Sequence, residues 1–263
     1  MITDNIGDRI YFKSELLGNA GKTVHFFTSK QGGYSHGKIE GLNLGFRVGD
    51  NPEAVKKNYL QLSEDFGIPF ENITAAKQTH SADIRIITKR EKGCGVNRLA
   101  ETFEADGLVT NCTDIPLAVF YADCVPILLE EESSGIIAAV HSGWRGTVSR
   151  IAENAVRIMV EELGASAVNI KAAIGPSIGK CCFETSEEVA CQFDDALVTR
   201  LPDNKFKVDL WEANRRILMG SGIRSENVDV LRLCTMCNSE LLYSYRSHGE
   251  NTGRMAAVIM LKK

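Results

Sequence analysis

The sequence predicts a single mixed α+β domain, and three observations predict it. Strand-like and helix-like segments alternate irregularly, so a regularly wound parallel sheet is not expected. No internal repeat, low-complexity tract or linker divides the chain, so one domain spanning residues 1–263 is expected. The composition, 44% hydrophobic and 24% charged, is that of a globular protein whose 263 residues can bury a large core.

The elements follow in order. "TVHFFTSK" (23–30) is β-rich, and the glycine-rich "QGGYSHG" after it is a loop. "NPEAVKKNYLQLSEDFG" (51–67) starts on Asn-Pro, spaces Val55, Tyr59, Leu62 and Phe66 as a helix does, and stops on Gly67. "ADIRIIT" (82–88) and "ADGLVTN" (105–111) are short strands, and "IPLAVFYA", "VPILLEE" and "GIIAAVH" are three more. "TVSRIAENAVRIMVEELG" (147–164) is the clearest helix, with Val148, Ile151, Ala152, Ala155, Met159 and Leu163 on one face. "VNIKAAIG" is a strand, "SEEVACQFDDAL" and "DLWEANRRILMGSG" are helices, and "VDVLRLCT" and "RMAAVIMLKK" are closing strands.

A net charge of −4 argues against a general binder of nucleic acid or anionic membrane, though a local basic pocket remains open. The opening "MITDNIGDRIYFKSELL" carries acids and no long apolar stretch. "IPLAVFYADCVPILLE" is interrupted by Asp123 and too short to span a bilayer. A cytoplasmic location is therefore expected. The eight cysteines (94, 112, 124, 181, 182, 191, 234 and 237) are then expected as thiols or ligands rather than disulfides.

Chemistry concentrates at strand ends. In "AVHSGWRGT" an apolar run stops on His141 before a helix begins. The turn signal Glu132-Ser133-Ser134-Gly135 folds "ADCVPILLEEESSGIIAAVHSG" into a hairpin, which brings Cys124 within a residue or two of register with His141. His80, in "KQTHSAD", stands just before another strand. Two imidazoles and a thiolate suit Zn²⁺ and leave one tetrahedral position open, as catalytic sites do. Two other readings stay open on the residues alone. His80 is equally well a hydrogen-bonded interior histidine. Cys124 and His141 are equally well a nucleophile and its base, oriented by Asp123 or Gln78, in a cysteine hydrolase acting on peptidoglycan-type peptides.

The blocks "FTSKQGGYSHGKIEGLNLG", "KQTHSADI", "ADGLVTN", "ADCVPILL", "AVHSGWRGT", "AAIGPSIGKCCFE" and "CTMCNSELLYSYRSHGENTGR" stand in the order found in the laccase-domain family. The chain resembles that family from about residue 24 to its end. Its bacterial members were first called polyphenol oxidases and are now regarded as purine nucleoside phosphorylases with adenosine deaminase activity. The resemblance implies an α/β/β/α sandwich of mixed sheets. It implies metal ligation by His80, Cys124 and His141, by zinc or by copper. It implies purine nucleoside and phosphate as substrates, adenosine, inosine, guanosine and S-methyl-5′-thioadenosine among them. Two positions depart from the family: Lys30 stands where arginine is common, and Tyr59 where Asn-Arg is common in place of Asn58-Tyr59.

Phosphorolysis requires cations or backbone N–H groups on the phosphate. Arg145, at the start of the 147–164 helix, is the leading candidate, since a helix N-terminus adds partial positive charge. Arg246, Arg254, Lys30 and Gln78 are further substrate-binding candidates. Deamination requires an activated water and a proton carrier. No glutamate adjoins His80 or His141, so Asp123 is the nearest acid, with turn capping as its structural alternative. Trp144 reads as packing rather than purine stacking. "IGPSIGKCCFE" reads as a tight connection rather than an anion loop. Cys181-Cys182 and Cys234-x-x-Cys237 invite a second metal or a redox pair, a weak signal at that spacing. Five histidines are too few for a multicopper polyphenol oxidase. A monomer is expected.

Overall fold

A computed structural model describes all residues, 1–263. Two six-stranded sheets form its centre. The first runs Ile2–Ile6, Arg9–Lys13, Thr23–Thr28, Met255–Leu261, Leu117–Tyr121 and Thr74–Ala75. The second runs Val228–Val230, Lys171–Ile174, Val125–Glu131, Ile136–Ser142, Gly107–Thr110 and Ile84–Ile86. Both are mixed: most pairs are antiparallel, but Thr74–Ala75, Val228–Val230 and Ile84–Ile86 join in parallel.

Three apolar layers follow from the strand pattern. Phe27, Val119 and Tyr121 of the first sheet meet Leu128, Ile137 and Ala139 of the second. Strands buried on both faces read as continuous apolar runs, and "VPILLEE" and "IIAAVHS" are buried at every position. Outside the second sheet pack the helices Ile151–Glu161 and Leu210–Gly220. Outside the first packs Pro52–Phe66 through Val55, Tyr59 and Leu62. This is the α/β/β/α sandwich that the family resemblance implied. A small sheet of Glu184–Thr185, Phe206–Val208 and Val198–Arg200 sits beside it. No helix is long and apolar enough to cross a membrane.

Local chemistry sets several boundaries. Asn51 caps Pro52–Phe66 by accepting from the Glu53 N–H, and left-handed Gly67 ends it, as the sequence predicts. The 147–164 helix is two helices. Trp144–Val148 ends at Arg150, whose φ of 57° breaks the path, and Ile151–Glu161 follows. Thr147 donates to the Gly143 carbonyl and joins Ser142 and Asn214 in a buried network, which ties the first helix to Leu210–Gly220. Hydrophobic periodicity runs through this break and so hides it.

The "SEEVACQFDDAL" helix is only Glu187–Ala190, and "VDVLRLCT" is a strand only over Val228–Val230, before Arg232 turns at a φ of 50°. The N-terminal hairpin, Ile2–Ile6 with Arg9–Lys13, was not expected. Its first strand is mostly exposed at the sheet edge, so it carries little apolar signal.

The chain changes sheets between Tyr121 and Val125. Asp123 makes that corner with a φ of 89°, and Cys124 follows it. The candidate site therefore lies where the two sheets part.

Candidate metal centre and cleft

The hairpin register places Pro126 opposite His141 and Val125 opposite Ser142. Cys124 thus extends just past the last pair, within two residues of His141. The next strand pairs Gly107 with Val140, so Asp106 lies beside His141 on the other side. His80 arrives from the loop before Ile84–Ile86. The ligand atoms of His80, Cys124 and His141 all lie within 4.8 Å of one another. Cys124 Sγ is 3.9 Å from His80 Nε2, and the two imidazole rings meet edge-on at 5.0 Å between centroids.

Asp106 organises this centre. It is fully buried, and its carboxylate accepts from the backbone N–H groups of Thr79, His80 and Ser81 and from the Ser81 hydroxyl. His80 has a φ of 61°, a left-handed conformation that costs a non-glycine residue energy, and these three amide bonds hold it there. The other half of the work is on His141. Its Nδ1 faces Asp106 Oδ1 at 2.9 Å, which makes Nδ1 the donor and leaves Nε2 free for a ligand role. Gly143 makes room: a Cβ there would stand 3.0 Å from Cys124 Sγ and 3.2 Å from His80 Cδ2.

The electrostatics agree with the geometry. Burial opposes ionisation of Cys124, but His141 and His80 outweigh it and bring the thiol down to about 6. Burial likewise opposes charging of His141, but Cys124 and Asp106 raise it to about 9. Burial would raise Asp106, yet the bonds from His141 and Ser81 hold it well below the usual carboxylate range. A low-pKa thiol, a histidine with a fixed free nitrogen and a second imidazole in reach suit a borderline metal such as Zn²⁺.

Above the centre opens a cleft of about 740 Å³. Phe46, Phe120, Tyr121, Trp144, Phe183 and Tyr245 line it, and Arg47, Arg246, Arg254 and Lys77, the last paired with Glu104, supply its cations. Arg254 is largely buried; burial holds its pKa below the ordinary guanidinium value. One of its nitrogens donates to the carbonyls of Thr252 and Gly253. Arg246 donates to the Glu184 carbonyl and lies 5.7 Å from the Phe183 ring centroid.

Several sequence expectations change here. Arg145 does not line the cleft; it is exposed and its guanidinium lies 4.4 Å from the Trp144 ring centroid. The helix it starts is a separate five-residue one, Trp144–Val148. Lys30 also lies outside the cleft lining, with Nζ donating to the Ser239 carbonyl. Gln78 lines the cleft, but its amide donates to the Phe120 carbonyl and accepts from the Phe120 N–H, so both ends are engaged in pinning strands. Asp123 lies in the cleft wall with one oxygen accepting from Thr235 and the other from the Arg246 N–H. Those two bonds fix the Asp123 carboxylate, each taking one lone pair of one oxygen.

The other departures resolve as packing. Tyr59 is a core residue that donates to the Leu44 carbonyl. The 174–184 segment spends the N–H groups of Gly175, Ser177 and Ile178 on protein carbonyls. Trp144 both lines the cleft and packs on the helical core.

Asp106 and Arg47 are the residues the sequence reading missed. The signal for Asp106 was present: "ADG" precedes a strand as "ADC" does. Arg47, in "GLNLGFRVGD", stood in a matched block but carried no periodic or spacing signal.

Fold and site together give an α/β/β/α protein in which His80, Cys124 and His141 could hold a metal ion beside a cleft lined by aromatic and arginine side chains. Residues 24–262 match the family described as multi-copper polyphenol oxidoreductase laccase, and the chain belongs to that family. Purine nucleoside phosphorylase YlmD of Geobacillus stearothermophilus is 35% identical over 240 residues, 88% of either chain. Adenosine deaminase RL5, from an unknown prokaryotic organism, is 36% identical over 222 residues, 81% of this chain and 84% of its own. The crystal structure of YlmD from Geobacillus stearothermophilus superposes with a TM-score of 0.92 at 31% identity, covering 100% of this chain and 99% of that one. The relatives' names support an enzyme.

Proposed function

We propose that the chain is a zinc-dependent purine nucleoside phosphorylase that also deaminates adenosine. Adenosine, inosine, guanosine and S-methyl-5′-thioadenosine are its nucleosides, and phosphate is the co-substrate. One observation carries this reading. The Asp106-held group of His80, Cys124 and His141 lies in the lining of the same cleft as six aromatic side chains and three arginines. Such a cleft offers apolar faces to a purine and guanidinium groups to a phosphate.

His80, Cys124 and His141 would hold the zinc, which supplies Lewis acidity of the kind that makes water nucleophilic at neutral pH. Arg246 and Arg254 bind phosphate and orient it toward C1′ of the nucleoside. The aromatic walls hold the base and exclude water while the ribosyl group gains positive charge. Asp123 keeps the backbone of Arg246 in place, and Asp106 keeps His141 in the tautomer a ligand needs. Of the five histidines only His80 and His141 converge, so the donor set for several coppers is not assembled. The reading includes a monomer acting in the cytoplasm; size-exclusion chromatography with light scattering tests the first part.

Incubation with inosine or adenosine, with and without phosphate, is the direct test. Ribose 1-phosphate and free base forming only with phosphate is the expected result. Cleavage to free ribose irrespective of phosphate, or none at all, rejects phosphorolysis, and inosine formed from adenosine reports deamination.

A second reading has a specific observation behind it. Cys124 near 6 and His141 near 9, with Asp106 behind, form the thiolate–imidazolium arrangement of a cysteine hydrolase. That reading gives His80 no task. Rapid inactivation of the zinc-loaded protein by iodoacetamide at Cys124 would favour it; protection by zinc favours the phosphorylase.

A further inference from the structure

The second sheet ends on a parallel pair, with Ile174 opposite Val230. Parallel neighbours release their loops at the same end, and here the loops stay together. Ser177 bridges Cys234, the Ser177 N–H donates to Leu233, and the Thr235 N–H donates back to Ser177. Cys181 and Cys182 follow on one loop, and Cys234 and Cys237 stand on the other.

All four sulfurs lie within 4.8 Å of one another. Cys237 Sγ is 3.5 Å from Cys181 Sγ and 3.3 Å from Cys182 Sγ. Sulfurs at the corners of a tetrahedron around zinc, with Zn–S near 2.3 Å, stand about 3.8 Å apart. The observed spread brackets that value. The Gly179 N–H points at Cys234 Sγ at 3.3 Å, the kind of backbone donor that stabilises a ligating thiolate. Three of the cysteines retain solvent access, which gives a metal an entry path. Lys207 donates to the Cys181 carbonyl and brings a cation beside the excess negative charge of four thiolates around a dication.

We propose that Cys181, Cys182, Cys234 and Cys237 form a second, structural Zn²⁺ site, separate from the centre at His80, Cys124 and His141. Four protein ligands close the coordination sphere, so this site carries no chemistry of its own. It staples the 175–183 loop to the 231–246 loop. The first ends at Phe183 and the second at Tyr245 and Arg246, all three in the cleft wall. Zinc binding releases the thiol protons and leaves oxidation states unchanged.

The test uses Cys124→Ala, in which the first centre lacks its sulfur. Stripped of metal under reductant and titrated with Co²⁺, this chain is expected to give one equivalent with the intense thiolate charge-transfer and visible absorption of a tetrahedral sulfur site. Adding Cys237→Ser should abolish those bands. Bands absent from Cys124→Ala, or unchanged by Cys237→Ser, overturn the proposal. A measurement on the unmutated chain guards against misfolding of the variants. Alkylation with iodoacetamide and peptide mapping should show the four thiols blocked by Zn²⁺ and freed by chelation. Equal alkylation with and without Zn²⁺, or a Cys182–Cys237 disulfide that Zn²⁺ fails to prevent, also overturns it.

Discussion

The ligand group and the arginine wall share one cleft but are built in opposite ways. His141 and Cys124 sit at or just beyond the ends of two paired strands, and their separation follows from the hairpin register. Asp106 lies on the third neighbouring strand's approach and bonds to both His141 and the His80 backbone. Ladder hydrogen bonds therefore set the geometry. Arg47, Arg246 and Arg254 come from two distant stretches of chain, the first two outside any sheet and Arg254 just before Met255–Leu261. Long-range ties orient them: Asp123 to the Arg246 N–H, and Asn43 to the Arg254 N–H. A site on a ladder can be read from sequence arithmetic; a site on loops depends on who ties each loop down.

Four outcomes would sharpen or break this contrast. The largest effect is expected at the ladder. His141→Ala should lower kcat/KM for phosphorolysis by about 1,000-fold or more, because a bound metal contributes several kcal/mol to transition-state stabilisation. Stoichiometric zinc together with unimpaired turnover in that variant would remove the centre from the mechanism. Next, Asp106→Asn should weaken zinc affinity about 10–100-fold, the usual loss when a partner behind a ligating histidine is changed. Competition with a chromophoric chelator measures it.

At the arginine wall, Arg246→Ala and Arg254→Ala should each raise KM for phosphate about 10–100-fold, the worth of one charge-assisted hydrogen bond. Arg145→Ala should change it less than about twofold, since a solvated guanidinium contributes little. If Arg145→Ala gives the larger effect, the helix-start argument was right and the placement of the cleft wall was not.

The last effect lies outside both regions and reads on stability rather than on activity. His25 is buried and accepts from the Ser14 N–H, and burial, with Lys13 nearby, pushes it down to about 4 from an ordinary 6.5. The folded state therefore binds the proton less readily than the unfolded chain. Its contribution is full above pH 6.5 and fades as pH falls from there through about 4. The total is on the order of 3 kcal/mol. Urea unfolding across that window should show a smaller acid loss in His25→Gln than in the unmutated chain. An equal loss in both would assign acid sensitivity to other groups.

Much of this fold was legible because its core strands are buried on both faces and read as unbroken apolar runs. The helix Pro52–Phe66 was legible to its caps. What misled the reading was periodicity carried too far: Val148 and Ile151 fit one helical face, while Arg150 turns the chain between them. The exposed N-terminal hairpin gave too little apolar contrast to be seen. Arg145 was favoured for its place at a helix start, and position along a chain does not say which way a side chain faces.

The residues alone determined which groups could meet at strand ends, because hairpin pairing converts sequence separation into spatial contact. Motif order narrowed the family. Only the tertiary structure decided that Asp106, not Asp123, stands behind His141, and that Arg246 and Arg254, not Arg145 or Lys30, face the cleft. It also brought Cys181 and Cys182 to Cys237 across more than fifty residues of chain. The physical reason is the same in each case. Ladder register is local and periodic, whereas loop direction is set by hydrogen bonds to partners far away in sequence.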